Sequence, residues 1–448
     1  AGVNTSDVEV NLKILLDARD AGPPIPRPRR NRLLAGATDE VAALVVRNNY
    51  LQSQAISLME QRALEELSEH QQLLRWLERH GELDRADEFL PDDEEIEQRR
   101  RQGRGLTRPE LALLLSYGKI ALNNALSASG GADDPYLARE LERYFPQALR
   151  QRFARRIKRH RLRRQIITTA TTNSIVNRIG PALLLESAQD DGPSAAQIAR
   201  AYTIARDSAD LRRLWSEIES LDARIKAKDQ YEALLVTSAY LRLLTRWLIA
   251  NRRDYDEVGA AVAELTPPLR ELAHVTPAAL EGLDRARYQG RCKHYATVGL
   301  PARLSENIAV LEPLKVAPDL VELMRISGAG ARAVARTHFG LGARLGLDWL
   351  HATIEQLPAS GSWSSAARAQ LQDASFFAHR QLSATALLAP EARADTRERR
   401  SLAANALARW QQVLGDARAL ASPDLAALSV VVETLEALAA VQSPLPLP

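Results

Sequence analysis

Near the start of the chain, Ser6-Asp7-Val8-Glu9 places a hydroxyl and a carboxylate three residues apart. That spacing fits the S-x-x-E capping box, in which the two side chains satisfy backbone N–H groups at a helix start. Val8, Leu12 and Leu15 follow as an apolar stripe with helical period. Ser6 therefore reads as a helix cap, and its hydroxyl raises the further question of whether it also touches a ligand.

The other chemistry-bearing residues do not assemble into a site by spacing. The eight histidines include no His-x-x-x-His or His-Glu-x-x-His pair, and the single Cys292 cannot build a thiolate site. No metal site is expected, and His70 and His80, ten residues apart, read as surface residues near a helix end. Gly328-Ala329-Gly330-Ala331-Arg332-Ala333 matches the letters of G-x-G-x-x-A, but it follows the helical pattern PDLVELMRIS rather than a strand. Glycines at a helix–helix turn explain it better than a pyrophosphate cradle. The GSWSS at 361–365 lacks the second glycine of a nucleophile elbow. Thr168, Thr169, Thr171, Thr172, Asn173 and Asn177 form a polar cluster best read as helix-to-helix hydrogen bonding.

Charge is unevenly distributed. The run RQRFARRIKRHRLRR (150–164) carries nine Lys/Arg and no acid, the composition of a nucleic-acid patch. Leu149, Phe153 and Ile157 form a buried seam through it, however, and no aromatic residue apart from the seam's Phe153 interleaves for base stacking. ELDRADEFLPDDEEIE (82–97) holds nine acids and offers an internal counter-charge, so the two segments are expected to face one another or a partner subunit. The net charge of +3 is too small to argue for nucleic acid by itself. One cysteine excludes an internal disulfide and favours a reducing, cytoplasmic setting. No signal peptide and no membrane-length apolar stretch are read, so no membrane partner is expected.

The elements that must position these residues are helices. The three-and-four spacing recurs at Val41, Leu44, Val45, Ala55, Leu58 and Met59, from Leu211 to Ile225, and from Leu425 to Leu438. Thr107-Arg108-Pro109-Glu110 and Ser194 are start signals. Breaks are expected at the Pro-rich linker 22–30, at 131–135, Gly180-Pro181, 190–194 and LTPP (265–268). The β-branched segment IITTATTNSIVN (166–177) has no hairpin partner nearby and reads as a buried helix. The fold class is all-α, and no repeat period points to a solenoid.

Several stretches resemble the C-terminal portion of the large bacterial NAD-specific glutamate dehydrogenases. They are AGVNTSDVEVNLKILL at the start, TDEVAALVVRNNYLQSQAIS (38–57), GLTRPELALLLSYGKIAL (105–122), RHRLRRQIITTATTNSIVNRIG (159–180) and HFGLGARLGLDWL (338–350). The likeness covers nearly the whole chain and weakens after about residue 390. It implies a multi-helix C-terminal domain (61–448, with a sub-boundary near 181–193) following the last edge of a dehydrogenase catalytic domain (1–60). The opening is also similar to the G-G-V-x-x-S-x-x-E pattern of the short hexameric glutamate dehydrogenases. Gly2, Val3, Ser6 and Glu9 match it, and Ala1 departs from its first glycine. Carried over, Val3 would pack on the aliphatic part of glutamate and Ser6 would donate to its distal carboxylate. A helix N-terminus suits that anion.

The resemblance implies that the catalytic lysines, the acid–base Asp and the NAD-binding turn lie upstream, with no catalytic, cofactor-binding or metal residue in this chain. The expected function is the C-terminal part of an enzyme converting L-glutamate, NAD and water to 2-oxoglutarate, ammonia and NADH, inactive alone. The expected partners are the upstream catalytic domain and further copies in a homo-oligomer. The alternatives are a helical scaffold without catalytic role and a nucleic-acid-binding helical protein.

Overall fold

The structure is a computed structural model that describes residues 2–17, 25–188, 192–251, 257–358, 362–388 and 397–442. Among the described residues there are helices and turns and no strand. The chain forms two compact units, one made of Ala1–Asp207 with Leu241–Val262 and the other of Ser208–Tyr240 with Ala263–Pro448.

The first unit contains α1 (Gly2–Asp17), α2 (Arg27–Gly36), α3 (Thr38–Gln61), α4 (Leu67–Arg79), α5 (Asp93–Arg101) and α6 (Arg108–Ala128). The short α7 (Arg139–Tyr144), α8 (Gln147–Arg150) and α9 (Ala154–Lys158) lead into α10 (Arg163–Ile179) and α11 (Ala195–Ser208). Helix α10 is the centre of this unit, packing on α6, α7 and α3. Its residues Ile166, Ile167, Ile175, Val176 and Ile179 are buried, so the β-branched run is a helix because a long apolar face outweighs a modest loss of helix propensity. Gly180, at φ +85°, ends it ahead of Pro181, as expected.

The chain passes to the second unit at α12 (Leu211–Glu219), and crosses between the units within α13 (Ala227–Ala250) and α14 (Val258–Ala279). The second unit continues through α15 (Gly282–Thr297), α16 (Ala302–Ala309), α17 (Ala317–Ser327), α18 (Ala331–Leu345) and α19 (Leu347–Glu355). It closes with α20 (Ser362–Leu388), α21 (Arg397–Ala419) and α22 (Leu425–Gln442). Trp410, fully buried among Leu350, Leu428, Val432 and Leu435, anchors the last helices and donates its indole N–H to the Leu345 carbonyl at 3.1 Å. Gly328, at φ +66°, closes α17 and Gly330 opens α18, the helix–helix turn expected of that glycine segment.

Two boundaries and one hydropathy reading differ from the sequence analysis. Residues 27–30 of the Pro-rich linker are helix, while 22–24 lie outside the described residues: α2 starts at Arg27 with Pro28 in its first turn, where no intrahelical N–H bond is lost. The LTPP segment does not break the chain either, because α14 runs through Pro267, Pro268 and Pro277. Leu265, Leu269, Leu272 and Val275 bury one stripe of that helix, and this burial offsets the missing backbone bonds. Finally, α13 has the length and hydropathy of a membrane span, contrary to expectation. Less than half of that stretch, 44%, is buried, and within the first unit its Arg242 pairs with Glu66 and Glu69, and its Arg246 with Glu186.

The capping box at Thr107 is formed, with Thr107 N–H donating to Glu110 Oε2 at 2.7 Å. Just before it, Gly105 lies against the backbone of Ala63 and Leu64, where a methyl group would overlap the Ala63 carbonyl. Gly105→Ala is therefore predicted to lower stability by about 1–3 kcal/mol, the usual cost of overpacking. A urea unfolding midpoint equal to that of the unmodified chain would show that this approach is not required.

Candidate functional site

Helix α1 begins at Gly2, so Ser6 lies one turn inside it and is not its cap. No Pro lies between Gly2 and Ser6 to stop the helix extending back through Val3 and Thr5. Glu9 does not reach back either; it pairs with Lys13 at 2.6 Å one turn on. Ser6 is exposed, roughly 200° around the helix from buried Val8 at 3.6 residues per turn. The side chain of Val3 lies outside the described residues.

The opposite face of α1 is locked down. Val8, Leu12, Leu15 and Leu16 are buried, each stabilising the packing by roughly 1.5–3 kcal/mol. Apolar contact alone leaves rotation and axial slip weakly specified, and here polar groups fix both. Tyr144, at the end of α7, donates to Asp7 Oδ2 at 2.6 Å and accepts from Asn11 Nδ2 at 2.8 Å. Burial, with the Asp7 carboxylate beside it, pushes the Tyr144 phenol well above its ordinary range, so it stays a neutral donor. His160 Nε2 lies 3.0 Å from the Asn11 carbonyl, and its Nδ1 lies 3.1 Å from the Leu162 N–H. A carbonyl only accepts and an N–H only donates, so this imidazole is neutral with its proton on Nε2. Burial depresses His160 and favours that neutral form, while the Asn11 carbonyl acts in the other direction. At the far end, Arg156 donates to the Leu16 carbonyl at 2.8 Å, a cation at a helix C-terminus.

The basic run thus has an inside. Arg156 and His160 are buried on α1, Leu149 and Ile157 are buried beside them, and Phe153 is half-buried. Arg163 and Arg164 pair with Asp133, and Arg150 donates to the carbonyls of Phe145 and Arg143. Within the chain the acidic segment does not supply its counter-charge, so the two segments do not face one another as one of the two expectations had it. Asp93 meets Arg75 and Arg85, Glu95 meets Arg99, and Glu97 meets Arg100 and Arg101. Arginines on α4, on α5 and in the connection between them are closer in sequence and reach these carboxylates first.

The polar cluster of α10 makes part of the expected helix-to-helix bonding: Asn123 donates to Thr169 Oγ1 at 3.3 Å, and Ser174 lies 2.8 Å from the Tyr202 hydroxyl. Thr171 Oγ1, Thr172 Oγ1 and Asn177 Oδ1 are buried without hydrogen-bond partners among the described residues. His70 is buried, not superficial, because it shares the inner stripe of α4 with Leu67, Leu74 and Leu77; burial lowers it to about 4. His80 is exposed and stacks on Trp76. The GSWSS stretch leads into α20, with Gly361 outside the described residues. Among the described residues no group of three His, Cys, Asp or Glu is arranged to hold a metal ion. Neither Tyr144 nor the His338, His351 and His379 cluster of the second unit has a local sequence signature, since each is assembled from separate helices.

A profile of the family described as "Glutamate dehydrogenase, C-terminal" matches residues 103–437, most of the chain. The chain belongs to the NAD-specific glutamate dehydrogenase family. A second profile, "Bacterial NAD-glutamate dehydrogenase, catalytic domain", matches residues 1–59, which include α1. The NAD-specific glutamate dehydrogenase of Pseudomonas aeruginosa is 35% identical over 98% of this chain and 27% of its own length. That of Halomonas elongata is 35% identical over 83% of the chain and 23% of its own length. That of Mycobacterium tuberculosis is 31% identical over 97% and 27%. The chain therefore spans about a quarter of the length of these glutamate dehydrogenases and corresponds to their C-terminal part.

The clamp on α1 makes two predictions. Tyr144→Phe removes the hydroxyl shared by Asp7 and Asn11, loosening the helix by about 1–2 kcal/mol. Amide hydrogen exchange should quicken in residues 2–17 with α20–α22 unaffected; unchanged exchange in α1 would remove Tyr144 from the clamp. Because folding lowers the pKa of His160, its contribution is present above the ordinary histidine value near 6.5 and is lost as pH falls through the lowered folded value. Protection factors in α1, corrected for the intrinsic pH dependence of amide exchange, should fall on acidification and not on raising the pH above neutral.

Proposed function

We propose that this chain is the C-terminal part of an enzyme that oxidises L-glutamate with NAD and water to 2-oxoglutarate, ammonia and NADH, and that α1 supplies one wall of the glutamate pocket. The observation that carries this reading is the two-sidedness of α1: its inner face is clamped at Asp7, Asn11 and Leu16 by Tyr144, His160 and Arg156, and Ser6 faces outward with its hydroxyl available. In this reading Ser6 donates to the distal carboxylate of glutamate and Val3 packs on its aliphatic part. Residues 1–60 belong to the edge of the catalytic domain, and the helices from 61 to 448 support it.

No residue set among those described fits the dinucleotide. The Gly328–Ala333 segment joins two helices and lacks the preceding strand that would aim its amides at a pyrophosphate. NAD, the hydride acceptor, is accordingly assigned to the upstream polypeptide, together with the groups that activate the substrate.

In the full-length enzyme, Ser6→Ala is predicted to raise KM for glutamate about tenfold, the loss of one hydrogen bond to a charged group, with KM for NAD unchanged. A glutamate KM equal to that of the unmodified enzyme would end the substrate role of Ser6. The 448-residue chain alone should produce no NADH from glutamate, and measurable turnover by it would contradict the assignment of catalysis upstream.

A further inference from the structure

A tight loop joins α4 to α5, and its Phe89 has 92% of its surface exposed. Scattered apolar side chains at a surface are ordinary. Phe89 is different because its backbone lies in the left-handed region, at φ +53°, where a bulky side chain crowds its own main chain. The loop enforces that conformation. Asp84 Oδ1 accepts from the N–H groups of Ala86 and Asp87 at 2.9 and 3.3 Å, and the Leu90 N–H donates to the Arg85 carbonyl at 2.9 Å. Arg85 donates to the Pro91 carbonyl and pairs with Glu78 and Asp93, and the Tyr117 hydroxyl donates to Glu88. Leu83 and Leu90 are buried on either side. A strained aromatic therefore stands in water on a loop tied down around it, and its own packing does not offset the strain.

The charge beside Phe89 is negative. Asp84, Asp87, Asp92 and Glu94 are exposed within five residues of it and have no cationic partner among the described residues; Asp84 and Asp92 accept only from backbone N–H groups. The opposite sign lies on α9 and the turns beside it. Arg152, Arg155, Lys158 and Arg161 are exposed and have no carboxylate partner among the described residues. Phe153 is half-buried among them, with the guanidinium carbons of Arg152 and Arg156 5.8 and 5.9 Å from its ring centroid. Both patches belong to the first unit, and the ion pairs of each segment are made elsewhere. Each patch thus carries the charge the other lacks, and neither finds it within the chain.

We propose that the Phe89 loop of one copy of this chain docks on the α9 face of a second copy. The Phe89 ring meets guanidinium groups there, a cation–π contact that strengthens as water leaves. The carboxylates at 84, 87, 92 and 94 oppose the cations at 152, 155, 158 and 161, and this complementarity fixes the register. Because two different surfaces meet, the contact is heterologous: each copy brings one loop and one basic face, and copies join head to tail into a ring or a chain. Nucleic acid fits less well, since it uses only the basic face and is repelled by the acidic loop. The face used is the outer side of the helix whose buried Arg156 holds α1. The contact does not depend on the glutamate reading.

The test is sedimentation velocity of the 448-residue chain over a range of concentrations, at low and at high salt. Self-association is expected at low salt and should weaken at high salt, where exposed charges are screened. Phe89→Gly removes the ring and suits a positive φ, so association should weaken about tenfold or more while the unfolding midpoint stays level or rises. Arg155→Glu with Lys158→Glu should weaken association likewise; if that chain does not fold, Arg152→Glu with Arg161→Glu gives the same reading. Mixing the Phe89→Gly chain with the charge-reversed chain is the decisive arm. Each keeps one intact surface, so the mixture should form a one-to-one complex and nothing larger. A parent chain monomeric at every concentration, variants that associate as the parent does, or a mixture that stays monomeric would overturn the proposal. DNA binding by the parent that the charge reversal abolishes, without self-association, would also overturn it and give the basic face to nucleic acid.

Discussion

The contact on which the rest of the first unit's role depends is a set of hydrogen bonds to one helix. Helix α1 could bury Val8, Leu12, Leu15 and Leu16 against α3 and α9 in more than one rotation or axial position, because apolar contact is not directional. Three groups remove that freedom. Tyr144 holds the Asp7–Asn11 face, His160 reads the Asn11 carbonyl, and Arg156 caps the end at Leu16. Ser6, the substrate-binding residue of the proposed function, is then placed on the outer face by the inner one, which is the support the proposed pocket wall requires. The Arg30–Asp17 pair, at 2.6 Å, ties the following helix α2 to the end of α1 and continues the same constraint.

This arrangement gives the basic run an internal purpose. A stretch of nine cations suggests phosphate binding when read as letters, yet its buried members act on protein backbone. Arg156 donates to a helix C-terminus and His160 works as a neutral imidazole, not as a charge. The acidic segment is likewise settled locally by arginines on neighbouring turns, and Glu110 closes both the Thr107 capping box and a bidentate pair with Arg99. The more exposed of these pairs, such as Arg75 with Asp93 and Arg101 with Glu97, contribute little stability each, but together the pairs discharge part of the two segments without pairing them together.

Much of the architecture was legible in the sequence because it depends on local period and punctuation. The α10 run read as helix, Gly180 as its stop, Thr107 as a cap and Leu428, Val431, Leu435 and Leu438 as a core stripe are all present. The prolines of α14 misled because a fixed local penalty was outweighed by burial along a 22-residue helix. Ser6 misled as a cap because the capping box also occurs where a helix simply continues through it. The resemblance supplied the family, but neither the clamp nor the histidine cluster could be read. Tyr144 lies 137 residues from Asp7, and His338 lies 41 residues from His379, so neither leaves a local spacing.

In the proposed function, the helical unit acts on substrate by holding the helix that carries Ser6. A double-mutant cycle in the full-length enzyme, combining Ser6→Ala with Tyr144→Phe and read as kcat/KM for glutamate, tests it most directly. If Tyr144 works through the position of Ser6, the double variant should lose less than the sum of the two single losses, with a coupling of about 0.5 kcal/mol or more. Losses that simply add, or a Tyr144→Phe enzyme indistinguishable from the parent, would contradict the account.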